Sequence, residues 1–481
     1  MAFYGREDQM AQLAALWRRP QASLVTCRGR RRIGKSTLIR RFAECSDAVL
    51  VKLEGLAPHP KMKNGDQLLA FGRQLTEQLD RPSFAPESWF DAFRSLADAL
   101  PPDRRAVVLI DEISWMGKYD VNFAGELKYA WDNRFHDRKD LIVVLCGSVS
   151  SWIDENILSN TGFVGRIALD LIVRELPICK CAQFWGQARE RIAPREILDV
   201  LAVTGGVPRY LEEVDPSLPA DENIKRMCFL PNGYLFRDFN DVFASVFGAN
   251  APAKRRVLEA LADASMDGQE LAERVGMARN GRLSDMMDEL EMAGFVSRNS
   301  GLNPSTGRRA RQDRYRLRDN YTRFYMKYIA PHSREILDGS FVFVSAESLS
   351  GWDAMLGLQF ESLVLNNIPA LLPHLHLDGR QILSAAPFRR LRNDATGGCQ
   401  IDLLIQTRKS VCVVEIKRQG EIGGEVEAQV AEKVRRLKVR EGVSIRTALV
   451  YDGLLSKSVK ANGFFDAIVP FEALLEDRIQ Q

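Results

Sequence analysis

Three clusters of residues in this 481-residue sequence have side chains and spacings suited to phosphate chemistry. Gly29-Arg30-Arg31-Arg32-Ile33-Gly34-Lys35-Ser36 fits the pattern G-x-x-x-x-G-K-[ST]. Glycines there let the chain curl until successive main-chain N–H groups face one point, and a following helix adds the positive end of its dipole. In this reading Lys35 reaches the β- and γ-phosphates of ATP and the Ser36 hydroxyl ligates Mg2+. Gly29, Gly34 and Thr37 complete the cradle. The run Val107-Val108-Leu109-Ile110-Asp111-Glu112 is an apolar strand ending in two carboxylates. Asp111 is expected to hold Mg2+ through water and Glu112 to polarise the attacking water, since phosphoryl transfer is governed by positioning and charge stabilisation. Ser148, which closes the apolar run before it, is read as a hydroxyl near the γ-phosphate.

The third cluster lies near the other end. Ile401-Asp402-Leu403-Leu404-Ile405 and Val411-Cys412-Val413-Val414-Glu415-Ile416-Lys417 read as paired strands. Side chains alternate along a strand, so Glu415 and Lys417 share a face, and Asp402 can stand opposite them. Upstream, Glu361 rides on an apolar helix; downstream, a helix from Glu427 is expected to bring Gln429 nearby. Carboxylates at 361, 402 and 415 are the hard oxygen ligands that Mg2+ takes. Such a metal activates water and neutralises a leaving oxygen, and Lys417 orients that water or steadies charge on the phosphate.

The elements that position these residues are legible as patterns. Ser23–Cys27, Ala48–Val51, Ala106–Ile110 and Leu141–Leu145 are continuous apolar runs, as expected of strands buried on both faces of a parallel sheet. Between them Trp89, Phe90, Phe93, Leu96 and Leu100 recur at helical spacing. The fold class that follows is α/β: a P-loop parallel sheet over 1–170, a helical lid over 171–250, a winged helix over 251–335 and a second α/β domain over 345–481. The winged helix rests on three short apolar-faced helices followed by Gly294-Phe295-Val296 and a basic stretch. From Arg298 to Lys327 there are nine Arg or Lys against two Asp, interleaved with Tyr315, Tyr321, Phe324 and Tyr325. That composition suits phosphate contacts, so DNA is the expected partner, bound without sequence reading. The acids Asp285, Asp288, Glu289 and Glu291 on the third helix weigh against base reading. Only Arg279-Asn280-Gly281-Arg282 looks fit to meet a groove.

With these motifs in order, the first 330 residues resemble the archaeal-type ATPases of the AAA+/STAND group of P-loop proteins. The resemblance rests on Phe3-Tyr4-Gly5-Arg6-Glu7, the loop at 29–36, Leu-Ile-Asp-Glu, Cys-Gly-Ser, and Thr204-Gly205-Gly206-Val207-Pro208-Arg209-Tyr210-Leu211. It implies that Phe3 to Glu7, with Tyr4 and Gly5 among them, lies against adenine and that Arg209, at the start of the lid, lies near the nucleotide. It also implies that Arg166, after Gly165, is an arginine finger serving a neighbour's ATP or its own; a structural ion pair is the alternative. The block from Gly351 to Val469 is similar to the DUF234 domain, which is regarded as restriction-endonuclease-like. Glu361, Asp402, Glu415 and Lys417 match the D…E-x-K set of the PD-(D/E)XK phosphodiesterases.

Composition excludes little. Apolar residues make up 46% and charged residues 27%, the balance of an ordinary globular chain, and the net charge of +3 names no partner. The eight cysteines are scattered without zinc spacing, and Cys27, Cys146, Cys399 and Cys412 sit in strand-like runs as small hydrophobes. No secretory leader and no membrane span is expected, and a reducing cytoplasm fits best. The five histidines form no cluster. The reading is an ATP- and Mg2+-binding ATPase, oligomeric, that binds DNA and cleaves or processes it. The alternative is a STAND-like ATP-dependent switch whose last domain only binds DNA or protein.

Overall fold

The structure, a computed structural model, describes residues 3–79, 82, 84–147, 151–247, 250–309, 313–390 and 398–477. The chain divides into two compact units: Arg6–Arg174, and Glu175–Gln481 together with Met1–Gly5.

The first unit is built on five parallel strands, β1 (Ser23–Arg28), β2 (Val49–Glu54), β3 (Ala106–Asp111), β4 (Leu141–Gly147) and β5 (Ile167–Ile172). Their order across the sheet is β2-β3-β4-β1-β5. β3 and β4 are buried along their whole length, which is why they read as unbroken apolar runs rather than alternating ones. β2 carries Lys52 and Glu54 into its C-terminal end, and β5, at the sheet edge, alternates less buried residues with Leu171. Helices cover the sheet. Trp89–Ala99 begins at Ser88, whose hydroxyl accepts from Asp91 N, and turns Trp89, Ala92, Phe93 and Leu96 inward. These pack with Phe71, Phe123 and the inner residues of β3 and β4 into one apolar core. Parallel register places the C-terminal ends of β1 and β3 on the same edge, where ligands of such sheets bind.

The second unit opens with helices, among them Pro194–Thr204, Ala220–Cys228 and Tyr234–Phe247. Three more follow, Ala251–Asp263, Gly268–Val275 and Gly281–Met292, with a small antiparallel sheet of β6 (Met266–Asp267), β7 (Val296–Asn299) and β8 (Arg314–Leu317) in the order β6-β8-β7. Asp267 and Glu270 form a reciprocal capping box at the second of these helices, and Gly276, with φ 66°, ends it. The chain then runs through the helix Trp352–Asn366 into a mixed sheet of β9 (Ser384–Arg390), β10 (Cys399–Gln406), β11 (Ser410–Ile422), β12 (Ser444–Leu455) and β13 (Ala467–Pro470). Its order is β13-β12-β11-β10-β9. β9, β10 and β11 are antiparallel to their neighbours in turn, while β11, β12 and β13 run parallel. The helix Glu425–Arg436 crosses one face and joins Val426 and Val430 to Ile401, Val413 and Leu449 in a second core. Among the described residues no helix is long and apolar enough to cross a membrane, and the cysteines are free thiols.

Candidate functional site

In the first unit the loop after β1 has the conformation its glycines were expected to supply. Gly29 has φ 152°, and a Cβ there would stand 2.2 Å from the carbonyl oxygen of Val173, so only glycine lets the loop pass beside the end of β5. Gly34, φ 87°, turns the chain into the helix Lys35–Cys45. Arg32 is also left-handed, with φ 68°. The Lys35 ammonium donates to the carbonyls of Gly29, at 2.9 Å, and Arg30, at 3.1 Å, so it lies folded over the loop. Ser36 Oγ, one residue into the helix, donates to Asp111 Oδ2 at 2.6 Å. A hydroxyl and a carboxylate in contact at the mouth of a curled loop are hard oxygen donors that fit Mg2+. Thr37 follows on the same first turn. Glu112 sits at φ 49°, ψ 45°, an unusual conformation for a residue with a side chain, and Arg31 Nε lies 3.7 Å from its Oε1. Ser148 lies outside the described residues.

One contributor here escaped the sequence reading. Lys52 on β2 bonds Glu54 at 2.6 Å and stands 3.5 Å from Asp111. Burial works against its charge, but Glu54 and Asp111 outweigh burial and lift its affinity for the proton. Only the register Glu54↔Asp111 brings it there, and a pattern along one strand cannot reveal a cross-strand neighbour. Arg6, from the Phe3–Glu7 motif, donates its guanidinium to the carbonyl of Ile33 within the loop at 3.1 Å.

Arg166 forms a two-pronged ion pair with Asp132, Nε to Oδ1 at 2.7 Å and Nη2 to Oδ2 at 2.9 Å. The hydrogen bond from Arg166 drives the Asp132 carboxyl down to about 2, against the opposing effect of burial and with help from Lys128. Arg166 immediately precedes β5, whose Ile167 pairs with Leu24 near the start of β1, whereas the phosphate loop follows the end of β1. Six strand residues at about 3.3 Å each put roughly 20 Å between the two edges. The expectation that Arg166 could serve its own ATP is therefore corrected: it stands at the opposite edge of the sheet.

In the second unit, Tyr4 packs edge-on against Phe184, ring centroids 4.9 Å apart. Gly5, φ 69°, lies close to Leu176 and Lys180. Arg209 pairs with Glu213 at 2.6 Å and Glu212 at 3.3 Å, and stacks on Tyr234.

The C-terminal constellation is brought together by β10, β11 and the helix Trp352–Asn366. Leu403 pairs with Val414, which sets Asp402 beside Glu415; Asp402 Oδ2 also accepts from Ile416 N at 2.9 Å. Lys417 follows two residues on, half-buried. Glu361 is raised to about 7, first by burial and then by repulsion from Asp402, with Arg316 and Arg323 opposing. Burial likewise raises Asp402, and burial with Asp402 raises Glu415. One correction is physical: Glu361, Asp402 and Glu415 were expected to form a metal cage, but no group of three such ligands gathers among the described residues. Instead the Lys433 ammonium, from the helix Glu425–Arg436, bonds Glu415 at 2.5 Å and lies 4.0 Å from Asp402. A cationic side chain holds the place a metal would take, so the two strand carboxylates fit Mg2+ once that ammonium withdraws. Lys433 was missed, and Gln429, four residues earlier, is exposed rather than at the site. The signal was present in the i, i+4 spacing.

The basic stretch is a second correction. Of its cations, Arg298 pairs with Asp288 and Glu291, Arg314 with Glu270 and Asp267, Arg318 with Glu175, and Arg309 with Asp313. Arg316 and Arg323 are buried, as are Tyr321, Phe324 and Tyr325. Arg311 lies outside the described residues. On the helix Gly281–Met292, Asp288 and Glu291 hold Arg298 and Glu289 holds Lys254, while Asp285 is exposed. The charge that looked like a cationic strip is mostly internal wiring, because buried guanidinium groups need carboxylate or carbonyl partners. Arg279, Asn280 and Arg282 are exposed.

Comparison with known proteins agrees with the loop geometry. Residues 2–128 match the family described as AAA ATPase domain, so the chain carries an AAA-type ATPase domain in its N-terminal part. A curated relative, uncharacterized protein MJECL04 of Methanocaldococcus jannaschii, is 24% identical over 366 residues, covering 75% of this chain and 76% of its own length. Among solved structures, the Walker-type ATPase PABY2304 of Pyrococcus abyssi is 16% identical with a TM-score of 0.45, covering 67% of this chain and 96% of that one. The Aeropyrum pernix ORC2 protein is 14% identical with a TM-score of 0.44, covering 69% and 94%.

Proposed function

We propose that this chain binds and hydrolyses ATP with Mg2+ and that nucleotide turnover governs a metal-dependent, DNA-cleaving site in the C-terminal sheet. The observation that carries the nucleotide half is the Ser36 hydroxyl on the Asp111 carboxylate, at 2.6 Å, beneath a loop capped by the Lys35 ammonium. Lys35 would leave the loop carbonyls for the phosphates, Ser36 and Asp111 would hold Mg2+, and Glu112 would orient water. Mg2+ bound there neutralises charge on the β- and γ-phosphates. Tyr4, Gly5 and Arg209 are proposed nucleotide contacts, Ser148 a phosphate contact, and Arg166 a finger offered to a second copy in an oligomer.

In the C-terminal site Asp402 and Glu415 would hold a divalent ion with Glu361 nearby, and Lys417 would orient water toward a phosphodiester. Arg279, Asn280 and Arg282 are the proposed DNA contacts. Plasmid incubated with Mg2+, with and without ATP, tests this reading: wild type should cut and Lys417→Ala should not. A second reading has its own support. Lys433 seated on Glu415 is what a site retained as a polar network would show, and a switch that turns over ATP without cutting DNA fits that arrangement. Wild type that hydrolyses ATP yet leaves plasmid intact under every condition would favour the switch.

A further inference from the structure

A cavity of about 330 Å³ opens between the β6-β8-β7 sheet and the C-terminal sheet. β8 contributes Arg314 and Arg316, β9 Phe388, β10 Asp402, and the helix Trp352–Asn366 contributes Glu361. Four guanidinium groups line it, and their donors are spent very differently; Arg389 lies 3.6 Å from Glu270. Arg323 uses all its nitrogens: Nε on the carbonyl of Ala262, Nη1 on Gln359 and Ser362, Nη2 on the carbonyl of Leu317. Arg314 places Nη1 on Glu270 and Nη2 on the carbonyl of Ser265. Arg316 is 7% exposed, and only its Nη2 is engaged, with Asn366 Oδ1 at 2.6 Å. Its Nε and Nη1 are shielded from solvent and have no acceptor.

Buried donors are almost always satisfied, so two idle ones on a single guanidinium mark an acceptor that arrives from outside. Burial, then Arg318 and Arg323, press the Arg316 proton affinity down to about 9, with Glu361 and Glu175 opposing. A planar fork of adjacent N–H groups matches two oxygens of a phosphate. We propose that Arg316 binds a phosphate group entering this cavity beside Glu361 and Asp402, making the site a composite to which β8 lends the anion-binding side chain. The proposal deepens the phosphodiesterase reading and rests on it for the identity of the phosphate. The same chemistry would receive a backbone phosphodiester or a free phosphate.

The test uses the full chain carrying Lys35→Ala, which silences the nucleotide loop, with EDTA present so that nothing is cut. Two probes are titrated: a fluorescein-labelled single-stranded oligothymidylate, and inorganic phosphate by calorimetry. Arg316→Met, which keeps the packing and removes the fork, should weaken at least one probe by about tenfold or more. Loss for the oligonucleotide alone identifies a strand phosphate; loss for inorganic phosphate alone identifies a free anion. Equal binding of both probes by wild type and Arg316→Met, or binding of neither by wild type, overturns the proposal. Should Arg316→Met fail to fold, Ala264→Trp at the exposed rim blocks the cavity with Arg316 intact: lost binding supports the proposal, retained binding overturns it. Plasmid cutting is scored separately with Mg2+. Arg316-dependent binding without cutting sinks the phosphodiesterase reading alone; cutting with Arg316-independent binding sinks this proposal alone.

Discussion

In the first unit the phosphate loop is made of main chain: Gly29 and Gly34 bend it, the helix Lys35–Cys45 aims at it, and the side chains that matter lie within a few residues of one another or at the end of β3. The C-terminal site has no such loop. Its groups come from a helix at 361, two strands at 402 and 415–417, a second helix at 433, and β8 at 316. The contrast teaches that a site made of backbone is written contiguously, whereas a site made of side chains is assembled by packing. It also explains the electrostatics. At the loop a buried ammonium folds over carbonyls; in the C-terminal site, buried acids and buried guanidinium groups are balanced against one another.

The sharpest way to break this contrast is to disable one site and watch the other. Lys35→Ala should lower ATP turnover at least about a hundredfold, because it removes charge placed at the transferring phosphate. Oligonucleotide binding in the absence of ATP should stay at the wild-type level in an anisotropy titration; a parallel loss would mean the two sites are not separately built. Next in size, Arg318→Ala removes the guanidinium that the largely buried Glu175 meets at 2.6 Å. Breaking a buried pair costs about 3–5 kcal/mol, to be read from chemical denaturation. Arg308→Ala, at an exposed position of the same basic stretch, should cost almost nothing.

Smaller effects sharpen the comparison through pH. Glu361 holds its proton up to about 7, above its unfolded value, so its charged form is disfavoured in the folded chain. Its share of stability is fully present below the ordinary carboxylate range and is lost as pH rises through 7. A charged Glu361 near the proposed Asp402–Glu415 ion site would favour a cation there, so Mg2+ should raise Tm more at about pH 8 than at about pH 6, and Glu361→Gln should flatten the difference. Asp132 has the opposite sign. Its carboxyl is depressed to about 2, so the stability it shares with Arg166 is present above the ordinary carboxylate range and lost as pH falls through 2. A Tm-versus-pH series on Asp132→Asn should show the smallest difference of the set, confined to the acid limb.

The N-terminal motif was legible because its residues and its secondary structure are local. Ser23–Cys27 reads as a strand, the glycines as a turn and Thr37–Phe42 as a helix, and the structure holds these elements at Ser23–Arg28 and Lys35–Cys45. Lys52 was illegible because its meeting with Asp111 depends on strand pairing. The basic stretch misled for a different reason. Net charge per segment counts Arg298, Arg314 and Arg318 without their partners, and those partners lie at 288, 270 and 175. Lys433 was hidden because it belongs to a helix that crosses the sheet, and only the sheet's own carboxylates show in the strand pattern.

The guanidinium of Arg166 stands a full strand length from the phosphate loop of its own molecule. In this arrangement a solitary copy holds it away from its own triphosphate, so the finger proposed above would serve a neighbour's. Such an arrangement makes turnover a census of neighbours: specific activity would climb with protein concentration and fade on dilution. Mixing an Arg166→Ala chain with a Lys35→Ala chain would then restore a rate that neither possesses alone.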